Sequence, residues 1–342
     1  MRAGRLLAIG VVAIAAAGAG IAAAHRSEGF VVTRLATDAR DAKLVNAWGL
    51  AASPTGPWWV ANEARDASTL YAWNGQKQAL TVGVEGGPTG IVYSGGRGFV
   101  VRSGSAAGPA RFIYACEDGT IRGWSPTVPN GWSTEAVVAV DEGAKGAIFR
   151  GVALGPHRLY ATDFHNDRVL VLDERWRRVV LHRAFVDPKI PAWYSPFGIA
   201  VAGARVFVTY ASPAPVNGND APTGGYVDEF DLDGRLVSRV AHMADLNEPW
   251  GLAAAPSGKL LVANFGSGRI NSYVRNARGW SFAGQLRGRD GKPIAISGLW
   301  GIAFGNGEMA GPKDTLFFAA GPHRWRGATE SGVHGLLGSI SR

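Results

Sequence analysis

Three oxygen-bearing side chains recur at one place in this 342-residue chain: Asn62, Asp163 and Asn264 each close a short run rich in aromatic and branched residues (Trp58-Trp59-Val60-Ala61, Leu159-Tyr160-Ala161-Thr162, Leu260-Leu261-Val262-Ala263). With Glu63 or Glu248 they supply the hard oxygen donors that a Ca2+-type cation takes. A cation held there would act as a Lewis acid and activate water, with a neighbouring carboxylate as base. The same residue types also lock turns, their side chains accepting hydrogen bonds from nearby backbone N–H groups. A second set, Asn46, Trp48, Arg150, Phe197, Asn247, Trp250 and Trp300, places aromatic rings beside amides and a guanidinium. Such a mixture suits a concave site for a sugar or small ester. The three tryptophans recur at one position and equally suit packing wedges between repeated units.

Other chemistries find no support. His165, His323 and His334 stand in loops without metal-ligand spacing, there is no Gly-x-Ser-x-Gly elbow, and the Gly-rich stretches 83–90 and 95–96 lack the following helix that would bind phosphate. The single cysteine, Cys116, has no intramolecular partner and reads as a small buried hydrophobe. No basic stripe interleaved with aromatics is present, so nucleic acid is not an expected partner.

The elements that must position these residues are set by a glycine placed ahead of a short apolar run. It returns six times, as Gly49, Gly90, Gly151, Gly198, Gly251 and Gly301, at intervals of 41, 61, 47, 53 and 50 residues. That spacing fits one four-stranded antiparallel blade per repeat, and six blades close into an all-β propeller. After each glycine come an apolar strand, a polar turn and a second strand, placed at Trp58–Ala61, Arg97–Val101, Leu159–Thr162, Val206–Thr209, Leu260–Ala263 and Leu316–Ala319. Fourth strands are expected at Val179–Leu181 and Leu236–Val240. The last blade reaches Gly335–Ile340 without an outer strand of its own, and Phe30–Leu35 can fill that place, closing the ring and removing two open sheet edges. Residues entering the inner strands and residues leaving the second strands then share one central face. Two long connections, 212–225 and 321–333, overhang it.

Residues 1–24 have an arginine-bearing start, an apolar run from Leu6 to about Ala17 and an Ala22-Ala23-Ala24 end, the three parts of a cleavable signal peptide. The domain expected is therefore residues 25–342, periplasmic or secreted, monomeric, with no later membrane-crossing segment. Loss of Arg2 and Arg5 takes the formal charge from +8 to +6.

The stretch Tyr160 to Asp173, in which Asp163 ends one strand and Asn166-Asp167-Arg168 opens the next, resembles an NHL repeat, and Val262 to Ile270 is a looser copy. From Leu44–Leu50 through Asn247–Leu252 to His334–Ile340 the chain resembles a family of exported bacterial six-bladed propellers of unknown function. Some members of that family carry a C-terminal PEP-type sorting signal, which Ser341-Arg342 does not provide. In residue type and blade position, Asn62, Asp163 and Asn264 are also similar to the metal site of gluconolactonase-type propellers, without that family's local signatures. The reading that follows is a binding scaffold for an exported protein or a glycan on the central face. Its rival is a Ca2+-dependent lactonase or esterase-like hydrolase.

Overall fold

The computed structural model describes residues 29–96, 98–212, 224–322 and 334–342. The expected signal peptide and nearly all of both long connections lie outside the described residues. Six antiparallel sheets follow one another in the chain as the blades of a propeller. Their inner strands are Ala47–Ala52, Pro88–Tyr93, Phe149–Leu154, Ser195–Ala202, Pro249–Ala254 and Leu299–Phe304. The second strands are Trp58–Asn62, Phe112–Cys116, Arg158–Asp163, Arg205–Ala211, Leu260–Asn264 and Leu316–Ala320. Because each blade is covered on both faces by its neighbours, the second strands are buried almost throughout and read as continuous apolar runs.

Each repeat glycine sits where its blade touches the next. A methyl group added to Gly198 would lie 2.0 Å from the Trp250 carbonyl oxygen, one on Gly251 would lie 2.3 Å from that of Trp300, and one on Gly301 2.6 Å from that of Trp48. Gly49 meets Thr89, Gly90 meets Val152 and Gly151 meets Phe197 in the same way, so the six contacts run round the ring and return to their start. None of the six has a positive φ. The repeat therefore records a need for space where backbones approach, not for an unusual conformation. Every inner strand also slips register on its second strand across or beside this glycine. A bulge of this kind re-aims the flanking side chains.

Closure occurs as the sequence implies. Val31–Thr37 forms the outer strand of the sixth blade, antiparallel to Leu336–Ser341, with Val31 opposite Ser341. His334 Nδ1 lies 2.6 Å from Asp38 Oδ2 at one end of this seam. Two expected strands are corrected. The second strand of blade two is not the expected 97–101, whose first residue lies outside the described residues: Val100–Ser103 pairs with Ala106–Pro109 as a separate hairpin inserted before Phe112–Cys116. Val100 and Arg102 of that hairpin face solvent, whereas Phe112–Cys116 is wholly buried, free Cys116 included. Val179–Leu181 is not a fourth strand either, and blade three has three strands. The chain makes a bridge at Arg178 and one bond from Val179 N–H to Val171 O, then leaves to seat Phe185 against Tyr160 and Phe230 over the seam with blade four. Among the described residues no helix is long and apolar enough to cross a membrane.

Candidate functional site

The chain enters each inner strand and leaves each second strand on the same side of the ring. Asn46 and Glu63 show the juxtaposition directly: Glu63 N–H donates to Asn46 O, and Asn46 Nδ2 donates to Glu63 Oε2 at 2.5 Å. In blade five Phe265 N–H donates to Glu248 O and Gly266 N–H to Asn247 O. Between these segments lies an axial cavity of about 320 Å³.

Three repeat positions build its walls. Residues immediately after the second strands contribute Glu63, Glu117, Phe164, Ser212 and Phe265, one from each of the first five blades. In the sixth blade this place is Gly321, where a Cβ would come within 2.0 Å of Asn46 Oδ1. Residues immediately before the repeat glycines contribute Trp48, Arg150, Phe197 and Trp300. Residues three before the glycines contribute Asn46 and Glu248. Both hold left-handed backbone, with φ of 47° and 52°, and the equivalent residues of blades two and six are Gly87 and Gly298, with φ of 70° and 65°. Glycine meets this conformation without penalty, whereas a side chain does not. Of the four blades with left-handed backbone there, the two that keep a side chain line the cavity with it, whereas Ile148 and Ser195 of blades three and four have no positive φ and do not line it.

The floor is aromatic. Trp300 stacks on Trp48 at 3.8 Å between ring centres and on Phe265 at 3.9 Å, while Trp250 and Phe197 meet it edge-on at 6.0 Å. Trp250 Nε1 donates across the ring to Arg150 O, and Trp300 Nε1 donates to Asn46 Oδ1. Trp48 is only 3% exposed, and its Nε1–H has no partner among the described residues. These rings meet on the axis, not as wedges between adjacent blades, and separate the cavity from a channel of about 520 Å³ on the other side.

Arg150 pairs with Glu117, and its guanidinium lies 5.3 Å from the ring centre of Trp48 and 5.6 Å from that of Phe164. Burial lowers its pKa, and the field of Glu63 opposes that shift. Glu248 also lines the cavity; its carboxylate has no hydrogen-bond or ion-pair partner among the described residues, and burial pushes its pKa above the usual range. The cavity is thus lined by three carboxylates against one guanidinium, and a single carboxylate is neutralised.

Asn46, Trp48, Arg150, Phe197 and Trp300 are brought together as the sequence implies. Trp250 supports the floor from the channel side, and Asn247, which does not line the cavity, is held by Asn264, whose Oδ1 accepts from the Asn247 backbone N–H at 2.9 Å. The metal-type set lies elsewhere, and of its side-chain oxygens only Asn62 Oδ1 has no partner among the described residues. Asn62 Nδ2 donates to Thr69 Oγ1, and Asn264 Nδ2 donates to backbone carbonyls at Val262 and Arg269. Asp163, fully buried, accepts from the backbone of Ile148 and Asn166 and from the side chains of Asn166 and Arg168. None of the three lines the axial cavity. Among the described residues no cluster of three or more His, Cys, Asp or Glu could hold a metal. Glu117, Phe164 and Phe265 escape residue-by-residue reading. The signal for them was their place one residue beyond Cys116, Asp163 and Asn264.

The uncharacterized protein R648 of Acanthamoeba polyphaga mimivirus is 31% identical over 323 residues, covering 88% of this chain and 76% of that protein. The chain belongs to the family of R648. A second mimivirus member of this family, uncharacterized protein L690, is 29% identical over 321 residues, covering 88% of this chain and 81% of its own. No protein-family model matches. Among solved structures, the PQQ-bound aldose sugar dehydrogenase of Streptomyces coelicolor superposes with a TM-score of 0.51 at 18% identity, covering 92% of this chain and 98% of its own. Virginiamycin B lyase from Staphylococcus aureus gives 0.51 at 12% identity, covering 92% and 99%. At such identities they establish for the R648 family the propeller fold alone.

Proposed function

We propose that this chain is an exported propeller that binds a glycan end in its axial cavity. The observation that carries the reading is the variation among the residues one beyond the second strands. Five blades place Glu, Glu, Phe, Ser and Phe at the same cavity from the same repeat position. Carboxylates and amides that accept and donate to hydroxyls, beside stacked aromatic rings, are what a sugar requires. A dead-ended hollow of this size suits a saccharide unit better than the flat surface of a folded protein partner. Export rests on the signal-peptide pattern of residues 1–24 and leaves residues 25–342 as the acting domain, periplasmic or secreted. Placement within the exported bacterial family with NHL-like blades is part of the same proposal.

No catalytic step is needed for this reading. The Ca2+-dependent lactonase or esterase alternative would need Asn62, Asp163 and Asn264 around one cation; none of the three lines the axial cavity, and Asp163 and Asn264 hydrogen-bond within their own blades. The test is a glycan array probed with the purified protein and with Arg150→Ala and Glu117→Gln. Retention of one saccharide class by the parent and its loss by both variants is expected. Failure to retain any saccharide, together with a Ca2+-dependent rise in unfolding midpoint that Asp163→Ala removes, would replace it with the hydrolase reading.

A further inference from the structure

Among the described residues that line the axial cavity the charges do not balance. Glu117 has Arg150, and Glu63 receives the Asn46 amide, a neutral donor. The Glu248 carboxylate has no cation paired with it among the described residues, and its backbone has a left-handed twist that glycine would hold more easily. A carboxylate that is both conformationally costly and electrostatically unpaired is a poor structural device. Beside it is an aromatic floor with an unpartnered, buried Trp48 N–H. Resting on the glycan-binding reading above, we propose that the saccharide bears a protonated amine, an amino sugar, whose ammonium pairs with Glu248.

The physical case is complementarity. The described lining of the cavity has a formal charge of −2 from Glu63, Glu117 and Glu248 against Arg150. A cation entering it regains through a charge-assisted hydrogen bond what Glu248 loses by partial burial. A neutral sugar leaves that loss uncompensated. Phe265, half-buried and stacked on Trp300 at 3.9 Å, adds an aromatic surface attractive to cations. Arg150, already neutralised by Glu117, does not repel the ligand as a free guanidinium would.

D-glucosamine, D-glucose and N-acetyl-D-glucosamine separate charge from shape, because they share a ring and differ in the group at one carbon. Tryptophan fluorescence or calorimetric titration just below neutral pH should give at least ten-fold tighter binding of glucosamine than of either neutral sugar. Glu248→Gln should erase that preference while leaving residual binding of all three. Glu248→Gly, which suits the local backbone, should do the same if the glutamine variant folds poorly. Equal affinity for glucosamine and glucose, or a preference that survives both variants, overturns the amine inference and leaves the saccharide reading standing. n-Butylammonium binding as tightly as glucosamine would also overturn it, since the sugar ring would then contribute nothing. Binding of none of the three sugars removes the glycan reading itself.

Discussion

The two ends of the propeller axis are made by the same six strands and differ in kind. On one side of the repeat glycines the following residues are Leu50, Ile91, Val152, Ile199, Leu252 and Ile302, aliphatic in every blade, and they wall the 520 Å³ channel. On the other side the preceding residues are Trp48, Thr89, Arg150, Phe197, Trp250 and Trp300, and those after the second strands are as mixed. Uniformity at a repeated position marks what every blade needs to join the ring. Variation at a repeated position marks what a blade supplies individually, and it gathers at the end that holds carboxylates, a guanidinium and stacked rings.

The aromatic floor keeps these ends apart, so its removal should have the largest effect. Trp300→Ala deletes a 6% exposed side chain in contact with Trp48, Phe265, Trp250 and Phe197. It should cost ~3–5 kcal/mol in a denaturant titration and abolish saccharide binding. The glycine ring, which both ends share, is next. Gly198→Ala drives a methyl against the Trp250 carbonyl and should cost about 3 kcal/mol. Gly131→Ala, where nothing lies within 4 Å, should leave the midpoint unchanged.

A third experiment contrasts a carboxyl at the cavity with one inside a blade. Asp228 shares Arg239 with Asp187, and burial outweighs that ion pair, raising its pKa to about 7. The folded protein therefore holds a proton that the unfolded chain releases near pH 4, and this group's contribution to stability falls as pH rises from about 4 to about 7. Asp228→Asn removes that slope. Its stability relative to the parent should climb across the same window, by on the order of 2 kcal/mol, in unfolding curves taken at each pH. The smallest stability effect is expected at the cavity itself: Glu248→Gly should change folding by no more than ~1 kcal/mol, in the stabilising direction, while weakening ligand binding. That combination would separate function from scaffold at a single residue.

Much of the scaffold was legible because repetition reports packing. The six glycines located the inner strands, and the missing outer strand of the last blade located its replacement at Val31–Thr37. The 61-residue interval between Gly90 and Gly151 already contained the inserted hairpin, but alternation at Phe99-Val100-Val101 looks locally like any strand, and only burial distinguishes it from Phe112–Cys116. Blade three lacks its fourth strand because the segment beyond Arg178 packs Phe185 on the neighbouring blade instead of extending the sheet. The site was half legible. Asn62, Asp163 and Asn264 stand out because they repeat in type, and they repeat because each blade must hold its turn. Phe164 and Phe265, one residue later, and Glu117 at the same place in blade two share a position with Glu63 but no single type, so they stay invisible until the ring brings them to one hollow.

The central claim is that recognition happens in that hollow. The indole N–H resonances of the chain's 12 tryptophans offer the most direct test, followed by NMR as D-glucosamine is added. Trp48 and Trp300 should shift together, with Trp250 following weakly, while Trp58 and Trp124, buried in the blades, and the exposed Trp132 stay fixed. Shifts confined to Trp132 or Trp193, with Trp48 and Trp300 unmoved, would place binding on the outer surface and contradict the account.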